Sequence, residues 1–442
     1  MEPRPKNASE RLQEIVRRNR RGDRGGVYAV CSAHPSVIAA AVRQAVDDDS
    51  VLHVESTSSQ VNQFGGYSGQ TPSQFAEFVH SAARRAGLPR ERVLLGGDHL
   101  GPYPWRERPS AVAMDKACEL VRACVLAGYT KIHLDASMAC ADDIKNGPDE
   151  SMIAQRAAIL CRAAESTFED LLPGSEPLLY VIGTEVPSPG GESLHGAPPA
   201  VSSADQIHRT LERFRAAFAD QNVATAWNRV IGLVVQPGVE FGESLIFDYD
   251  QQKASALSSA LPENPALAYE AHSTDYQKPA ALAQMVEDHF AILKVGPWLT
   301  FAFREAVFAL SAIEQEWLAY RKGSRVSQVR KALEAAMLCN PVYWSSYYRG
   351  TEDDLRLARL YSYSDRCRYY WGDAAVQQEL AQLRANLDAS PPSLTLVSQY
   401  LPMEYEAIRS GRLQADPEGM IQEHIRAVLR VYASACDMTK KN

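Results

Sequence analysis

The chain has 442 residues, 45% of them apolar, with 46 Lys and Arg against 54 Asp and Glu for a formal net charge of −8. That composition is ordinary for a soluble enzyme, and the length suits an α/β barrel with an extension. No basic stripe with interleaved aromatics appears and no apolar run approaches the roughly 20 residues of a membrane span, so neither nucleic acid nor membrane is an expected partner.

Residues 11–24 are Arg-rich but lack the apolar core of a secretory signal. The eight cysteines are scattered with no C-x-x-C pair, and Cys118, Cys124 and Cys161 fall in apolar stretches. Reduced, buried thiols in a cytoplasmic protein are expected. Along the chain, short apolar runs at 27–31, 51–56, 92–96, 131–135, 178–182, 230–236, 267–271 and 290–295 read as strands. Helical patterns lie between them. One opens at Thr71 as N-cap with Pro72 at the first helical position and stops at Gly87. Others cover 111–127, ending at Gly128, then 150–169, and a stretch after Ser202-Ser203 that runs through Phe218.

Continuously apolar strands alternating with helices predict a parallel sheet buried on both faces. Eight such units predict a closed (β/α)8 TIM barrel, with no G-x-G-x-x-G after the first strand and no G-x-x-x-x-G-K-[ST] anywhere to support a dinucleotide or P-loop fold. Residues 1–322 are assigned to the barrel with an N-terminal helix, and 323–442 to a mostly helical C-terminal extension. The aromatic and arginine-rich stretches 343–348 and 361–371 are expected to pack on the barrel or form a subunit interface, in a homo-oligomer.

Barrel enzymes carry their chemistry on the loops at the carboxyl ends of the strands. Here those ends offer His34, Glu55, Asp98-His99, Asp135, Glu185, Gln236, then Glu270 with His272-Ser273-Thr274, and finally Lys294 with Gly296. Capping explains one such residue; a full ring of them predicts a site. Carboxylates and imidazoles without thiolates suit a divalent metal, Zn²⁺ first, with Mn²⁺ or Co²⁺ as alternatives. With an open position such an ion polarises a substrate carbonyl, as aldol cleavage and ketose epimerisation both require. Asp98 is the candidate acid/base. Neighbours on a strand point to opposite faces, so Asp98 and His99 share the site only if the chain breaks there, and Gly96-Gly97 is the expected break. Ser273, Thr274 and Gly296 are the candidate phosphate cradle.

The runs CSAHP (31–35), ESTSSQVNQFGGYSGQTP (55–72), GGDHLGP (96–102), KIHLDASM (131–138), IGTEVPSPGGE (182–192), VVQPGVEF (234–241), YEAHSTDYQ (269–277), FAILKVGPWLTFAFREAVFAL (290–310), YSDRCRYYW (363–371) and SQYLP (398–402) resemble the Z component of class II D-tagatose-bisphosphate aldolase, the GatZ/KbaZ family. The resemblance covers nearly the whole chain. It implies a TIM barrel and a role in D-tagatose phosphate breakdown, in galactitol, tagatose or amino-galactose catabolism. It also implies a ketohexose phosphate as ligand and a separate catalytic class II aldolase chain as partner. Some relatives look like 4-epimerases acting on D-tagatose and D-fructose or their phosphates. Others carry a kinase label that the missing ATP motif does not favour. A more distant likeness to the catalytic class II aldolases implies Asp98 as acid/base and His99 and His272 as metal ligands. Their G-T-A-H-G histidine is replaced here in Gly183-Thr184-Glu185-Val186-Pro187, which leaves Glu185 as the substitute ligand. Three functions follow as alternatives: a helper subunit, a stand-alone metal-dependent epimerase in which Asp98 or Glu185 helps break the C3–C4 bond, or a ligand-binding subunit without chemistry.

Overall fold

The computed structural model describes residues 6–144, 147–171, 174–184, 198–321 and 325–439. Glu185 and the expected domain boundary at 322/323 lie outside the described residues. The strands are β1 (Val27–Cys31), β2 (Leu52–Thr57), β3 (Val93–Leu100), β4 (Lys131–Leu134), β5 (Leu179–Gly183) and β6 (Val230–Val234). A small antiparallel hairpin of β7 (Glu240–Phe241) and β8 (Ile246–Phe247) follows, and then β9 (Ala268–Ala271) and β10 (Ile292–Val295). Apart from the hairpin, these eight strands pair in parallel and close into a barrel, with β10 returning to β1 and β9 adjoining β6. The (β/α)8 barrel read from the sequence is the fold. The hairpin is too short to give a periodic signal.

The ring of helices begins with α1 (Ala8–Arg20), which lies across the amino end of the barrel. Its Leu12 and Val16 join Val27, Leu94, Leu179, Ile231 and Ile292 in one apolar cluster that closes that end. Asn7 caps α1 by accepting from the Glu10 N–H, and the Glu10 carboxylate accepts from Asn7 in return. The barrel helices are α2 (Pro35–Asp47), α3 (Pro72–Arg85), α4 (Ser110–Leu126), α5 (Glu150–Leu171), α6 (Ala204–Asp220), α7 (Gln251–Ser258), α8 (Pro279–Glu287) and α9 (Pro297–Leu318). Thr71 and Pro72 start α3 as read from the sequence.

The C-terminal region is helical: α10 (Val329–Cys339), α11 (Glu352–Tyr361), α12 (Ala374–Ala389), α13 (Leu394–Tyr400), α14 (Pro402–Arg409) and α15 (Pro417–Ala435). It shares one apolar core with the barrel. The last helix, α15, packs against α2, α8 and α9 and so stands in the outer ring itself. The Cys436 carbonyl, just past its end, accepts the Gly26 N–H at 3.0 Å, and the Tyr432 hydroxyl donates to the Thr274 carbonyl at 2.8 Å. No helix among the described residues is long and apolar enough to cross a membrane.

Candidate active site at the barrel mouth

The lumen is filled by polar side chains that alternate along their strands, as the two-residue period of a strand requires. β2 contributes His53 and Glu55, β4 contributes Lys131 and His133, β9 contributes Glu270, and β10 contributes Lys294; all are at least 96% buried. The Lys131 ammonium bridges Glu55 Oε1 and Glu270 Oε2, each at 2.6 Å. Lys294 pairs with Glu55, with Asp98 Oδ1 at 2.9 Å and with Glu270 Oε1 at 3.6 Å. Burial alone would raise the Glu55 carboxyl, but Lys131 and Lys294 outweigh it and hold the group below the ordinary range. Gly96 lies level with both Glu55 and Lys131 in the register. A Cβ there would stand 2.8 Å from the Glu55 Cγ, so this pair can cross the lumen only over a glycine.

The expected break in β3 falls elsewhere than predicted. The strand runs past Gly96-Gly97 to Leu100, and the chain turns at His99, whose φ is 48°. The register shifts between Gly97 and Leu100. This bulge turns Asp98 and His99 to the same side, at the expense of a left-handed backbone on a non-glycine residue. Asp98 Oδ1 then lies 3.0 Å from His133 Nδ1, and His99 Nδ1 lies 2.7 Å from Asp135 Oδ2. Asp135 also accepts from the Ser137 amide and hydroxyl. Burial disfavours the charged form of His99, yet Asp98 and Asp135 together raise its pKa. His272 goes the other way: burial lowers it to about 4, against its hydrogen bond to the Glu270 carboxylate at 3.1 Å.

Asp98, His133, Glu270 and His272 bring one ligand atom each within 4.8 Å of one another. The His133 Nε2 is buried and has no hydrogen-bond partner. His99 stands beside this set, its ring 5.2 Å from His133 and 4.9 Å from His272. Cys31 forms a second, overlapping group with Glu55 and Asp98.

Above this floor opens a cavity of about 860 Å³, the size of a small-molecule site. His34, Asp98, His99, His272, Ser273, Lys294 and Gly296 line it. Glu55 lies beneath, and Asp135 behind His99. Two nominated residues are turned elsewhere. Gln236 Oε1 accepts from the Gly238 amide in its own loop, and Thr274 Oγ1 donates to the Lys294 carbonyl and lies 3.1 Å from the Tyr432 hydroxyl. The Gly296 and Trp298 amides, at the amino end of α9, both donate to Asp275 Oδ1. A carboxylate therefore already occupies that end of the expected phosphate cradle. The aromatic stretches of the C-terminal region do more than pack: Tyr343, Tyr347, Arg366, Arg368, Tyr369 and Trp371 form a wall of the cavity.

Lys131 and His133 were not nominated from the sequence, and Glu270 was counted with its strand end but given no role. Lys131 and His133 sit inside their strand rather than at its end. The alternation Lys131-Ile132-His133-Leu134-Asp135 and Glu270-Ala271-His272 is the signal that points them inward.

Comparison with known proteins supplies a frame for this site. Residues 12–437 match the model of a family described as D-tagatose-1,6-bisphosphate aldolase subunit GatZ/KbaZ-like. A crystal structure named as a probable tagatose 6 phosphate kinase from Sinorhizobium meliloti 1021 is 40% identical, with a TM-score of 0.84, covering 93% of this chain and all of that one. Two matches are more remote. The fructuronate-tagaturonate epimerase UxaE from Cohnella laeviribosi is 13% identical with a TM-score of 0.47, over 93% of this chain and 81% of that one. The fructose-bisphosphate aldolase of Campylobacter jejuni is 11% identical with a TM-score of 0.44, over 87% and 93%.

Proposed function

The chain belongs to the D-tagatose-1,6-bisphosphate aldolase subunit GatZ/KbaZ-like family, and from that membership we propose that it serves D-tagatose phosphate breakdown as a Z component. In this reading its barrel mouth holds a divalent metal and a ketohexose phosphate, and it works beside a separate catalytic class II aldolase chain.

The observation that carries the reading is the cluster of Asp98, His133, Glu270 and His272. Two imidazoles and two carboxylates are a donor set for Zn²⁺, Mn²⁺ or Co²⁺. The lone His133 Nε2 supports the fit. So does the charge balance: four carboxylates (Glu55, Asp98, Asp135 and Glu270) share this buried region with two ammonium groups, Lys131 and Lys294. When bound, the ion supplies Lewis acidity toward a ketose carbonyl. Lys131 and Lys294 hold Glu55, Asp98 and Glu270 in place, while His99 and Ser137 hold Asp135. His99, oriented by Asp135 on Nδ1, presents Nε2 to the cavity as a proton carrier, with Asp98 Oδ2 3.8 Å away as the other candidate. The kinase name stays with the Sinorhizobium protein, because this sequence has no G-x-x-x-x-G-K-[ST] loop to cradle a nucleotide.

The second reading is a stand-alone 4-epimerase. The buried His99–Asp135 pair favours it, since a purely supporting subunit needs no proton carrier beside a ligand cluster. In that reaction His99 takes the proton of the C4 hydroxyl as the C3–C4 bond breaks, the aldehyde fragment turns over, and the proton returns when the bond re-forms.

The test is the purified chain with Zn²⁺ or Mn²⁺, given D-tagatose 6-phosphate and D-tagatose 1,6-bisphosphate. Binding without turnover, together with stimulation of a class II aldolase chain, is the result expected of a Z component. Fructose 6-phosphate formation that EDTA abolishes establishes the epimerase instead. Neither metal nor sugar-phosphate binding at this site sinks both readings. Metal titration of His99→Ala and Glu185→Gln beside His133→Ala separates the aldolase-like ligand set His99, Glu185 and His272 from the cluster.

A further inference from the structure

Among the described residues, buried arginines are matched with acids, with one cavity-lining exception. Arg304 lies 3.0 Å from Asp365, Arg359 lies 2.7 Å from Glu352, and Arg156 lies 2.6 Å from Asp143. Arg366 is 3% exposed and pairs with no carboxylate among the described residues. Its Nη1 donates to the Tyr343 carbonyl at 3.1 Å, while its Nε is buried with no partner. The guanidinium lies 3.0 Å from the centroid of the Tyr347 ring, a stack that fixes its plane without neutralising its charge. Burial works to raise the Tyr347 phenol, but Arg366, together with a hydrogen bond to Tyr103 and the charge of Arg106, outweighs it and the pKa falls. Both side chains line the cavity above the metal-ligand cluster.

Three further guanidinium groups share that cavity, with Arg106 and Arg108 exposed at its rim. Arg368 donates to the Ser364 and Asp365 carbonyls and to the Tyr369 hydroxyl, and Arg106 stands over the Tyr103 ring at 4.8 Å. Two acids line the cavity away from its floor. Glu107 is exposed at the rim, and Asp275 is engaged by the Gly296 and Trp298 amides. An anion brought to the amino end of α9 would therefore meet the Asp275 carboxylate in the place where backbone donors should be free. On the wall formed by the C-terminal region it would meet a planar, pre-stacked guanidinium with an unused donor. A guanidinium fork matches phosphate oxygens in a bidentate way.

We propose that Arg366, held by Tyr347, is the phosphate anchor of this cavity, binding the phosphate monoester of a ligand whose carbonyl end rests on the Asp98–His133–Glu270–His272 floor. This rests on the reading of the cavity as a sugar-phosphate site, and it gives the C-terminal region a task within that site. Selectivity for a phosphorylated over a free ketose then comes from residues more than 200 positions away from the floor acid Asp98 in sequence.

The experiment is calorimetric titration of the full, metal-loaded chain with inorganic phosphate, D-tagatose 6-phosphate and D-tagatose. The wild type is compared with Arg366→Lys, which keeps the charge but loses the fork, and with Tyr347→Leu, which removes the stack. Phosphate affinity is expected to fall at least tenfold in Arg366→Lys and by a smaller factor in Tyr347→Leu, with D-tagatose affinity unchanged. Should a variant fail to fold, phosphate soaked into wild-type crystals gives the answer, with density expected over Arg366. Unchanged phosphate affinity in Arg366→Lys, or density at Ser273–Gly296 instead, overturns the anchor while leaving the sugar-phosphate reading standing. Phosphate binding that needs Arg366, with no affinity for D-tagatose 6-phosphate, does the reverse. Acetate serves as the control, since binding of acetate as tight as phosphate would assign the wall to carboxylates and overturn the phosphate assignment.

Discussion

Lys131 is the most exacting test of how the lumen is held together. Its ammonium is fully buried and lies 2.6 Å from both Glu55 and Glu270. Lys131→Met keeps most of the volume and removes the charge. Removing one partner of a buried pair costs about 3–5 kcal/mol, and the lower end applies because Lys294 still faces both acids. At roughly 2.1 cal/mol/K per residue, a chain of 442 residues unfolds with an entropy of about 0.9 kcal/mol/K, so the loss corresponds to a Tm about 3 °C lower. Scanning calorimetry reads the shift and urea unfolding reads the free energy. The sign with pH follows from Glu55. Its folded pKa is depressed, so its contribution is present above the unfolded value of 4.5 and is lost as pH falls below it. The deficit of Lys131→Met should be full near pH 7 and shrink below about pH 4.5. Adding Glu55→Gln should recover about 1 kcal/mol or more, because it removes a buried carboxylate that has lost one of its two ammonium partners. A deficit under about 1 kcal/mol, independent of pH and not relieved by the second change, refutes the claim that Lys131 neutralises this core.

Other outcomes follow from the same structure. His424 lies 2.8 Å from Glu404 and 3.4 Å from Glu305; burial opposes its charge, but the two acids raise its pKa to about 9. The stability it adds between α9, α14 and α15 is therefore full below about pH 6.5 and lost as pH rises through 9. His424→Gln should be destabilised by about 2 kcal/mol near pH 6 and match the wild type near pH 10, allowing for the half-exposed Glu305; equal stability at both pH values would contradict this. Gly96→Ala places a methyl against Glu55 and should destabilise by about 1–3 kcal/mol while weakening metal binding, measured by calorimetric titration of Zn²⁺. His133→Ala and Asp98→Asn should each lower Zn²⁺ affinity by at least about tenfold, whereas His34→Ala, whose ring rests on Phe303 at 4.1 Å, should leave it unchanged.

The barrel was legible because its strands are buried on both faces and read as apolar runs. The site was legible only where function and strand end coincide. Asp98, His99 and His272 stood out for that reason. Gln236 and Thr274 occupy equivalent positions, but local hydrogen bonds take up their side chains, and position alone cannot show this. Lys131 and His133 were hidden inside an apolar run. The break in β3 lies at His99 rather than at the glycines, of which Gly96 instead clears the lumen for Glu55 and Gly97 makes room for Leu100. Arg366 gave no sign, because what singles it out is the lack of an acid partner in three dimensions. The sequence pattern of α15 shows an apolar face but not the neighbours that face will meet.

That neighbourhood bears on how the chain is made. α15 stands between helices that flank β1 and β10, and the Cys436 carbonyl completes the hydrogen bonding of Gly26, just ahead of the first strand. On the ribosome, then, α2, α8 and α9 emerge with a missing wall, and the barrel stays open-sided until residues 417–435 have cleared the exit tunnel. Nascent chains arrested at Ala415 should be protease-sensitive throughout the barrel, and those arrested well past α15 should be resistant. A protected barrel at Ala415 would show that the ring closes without its final stave.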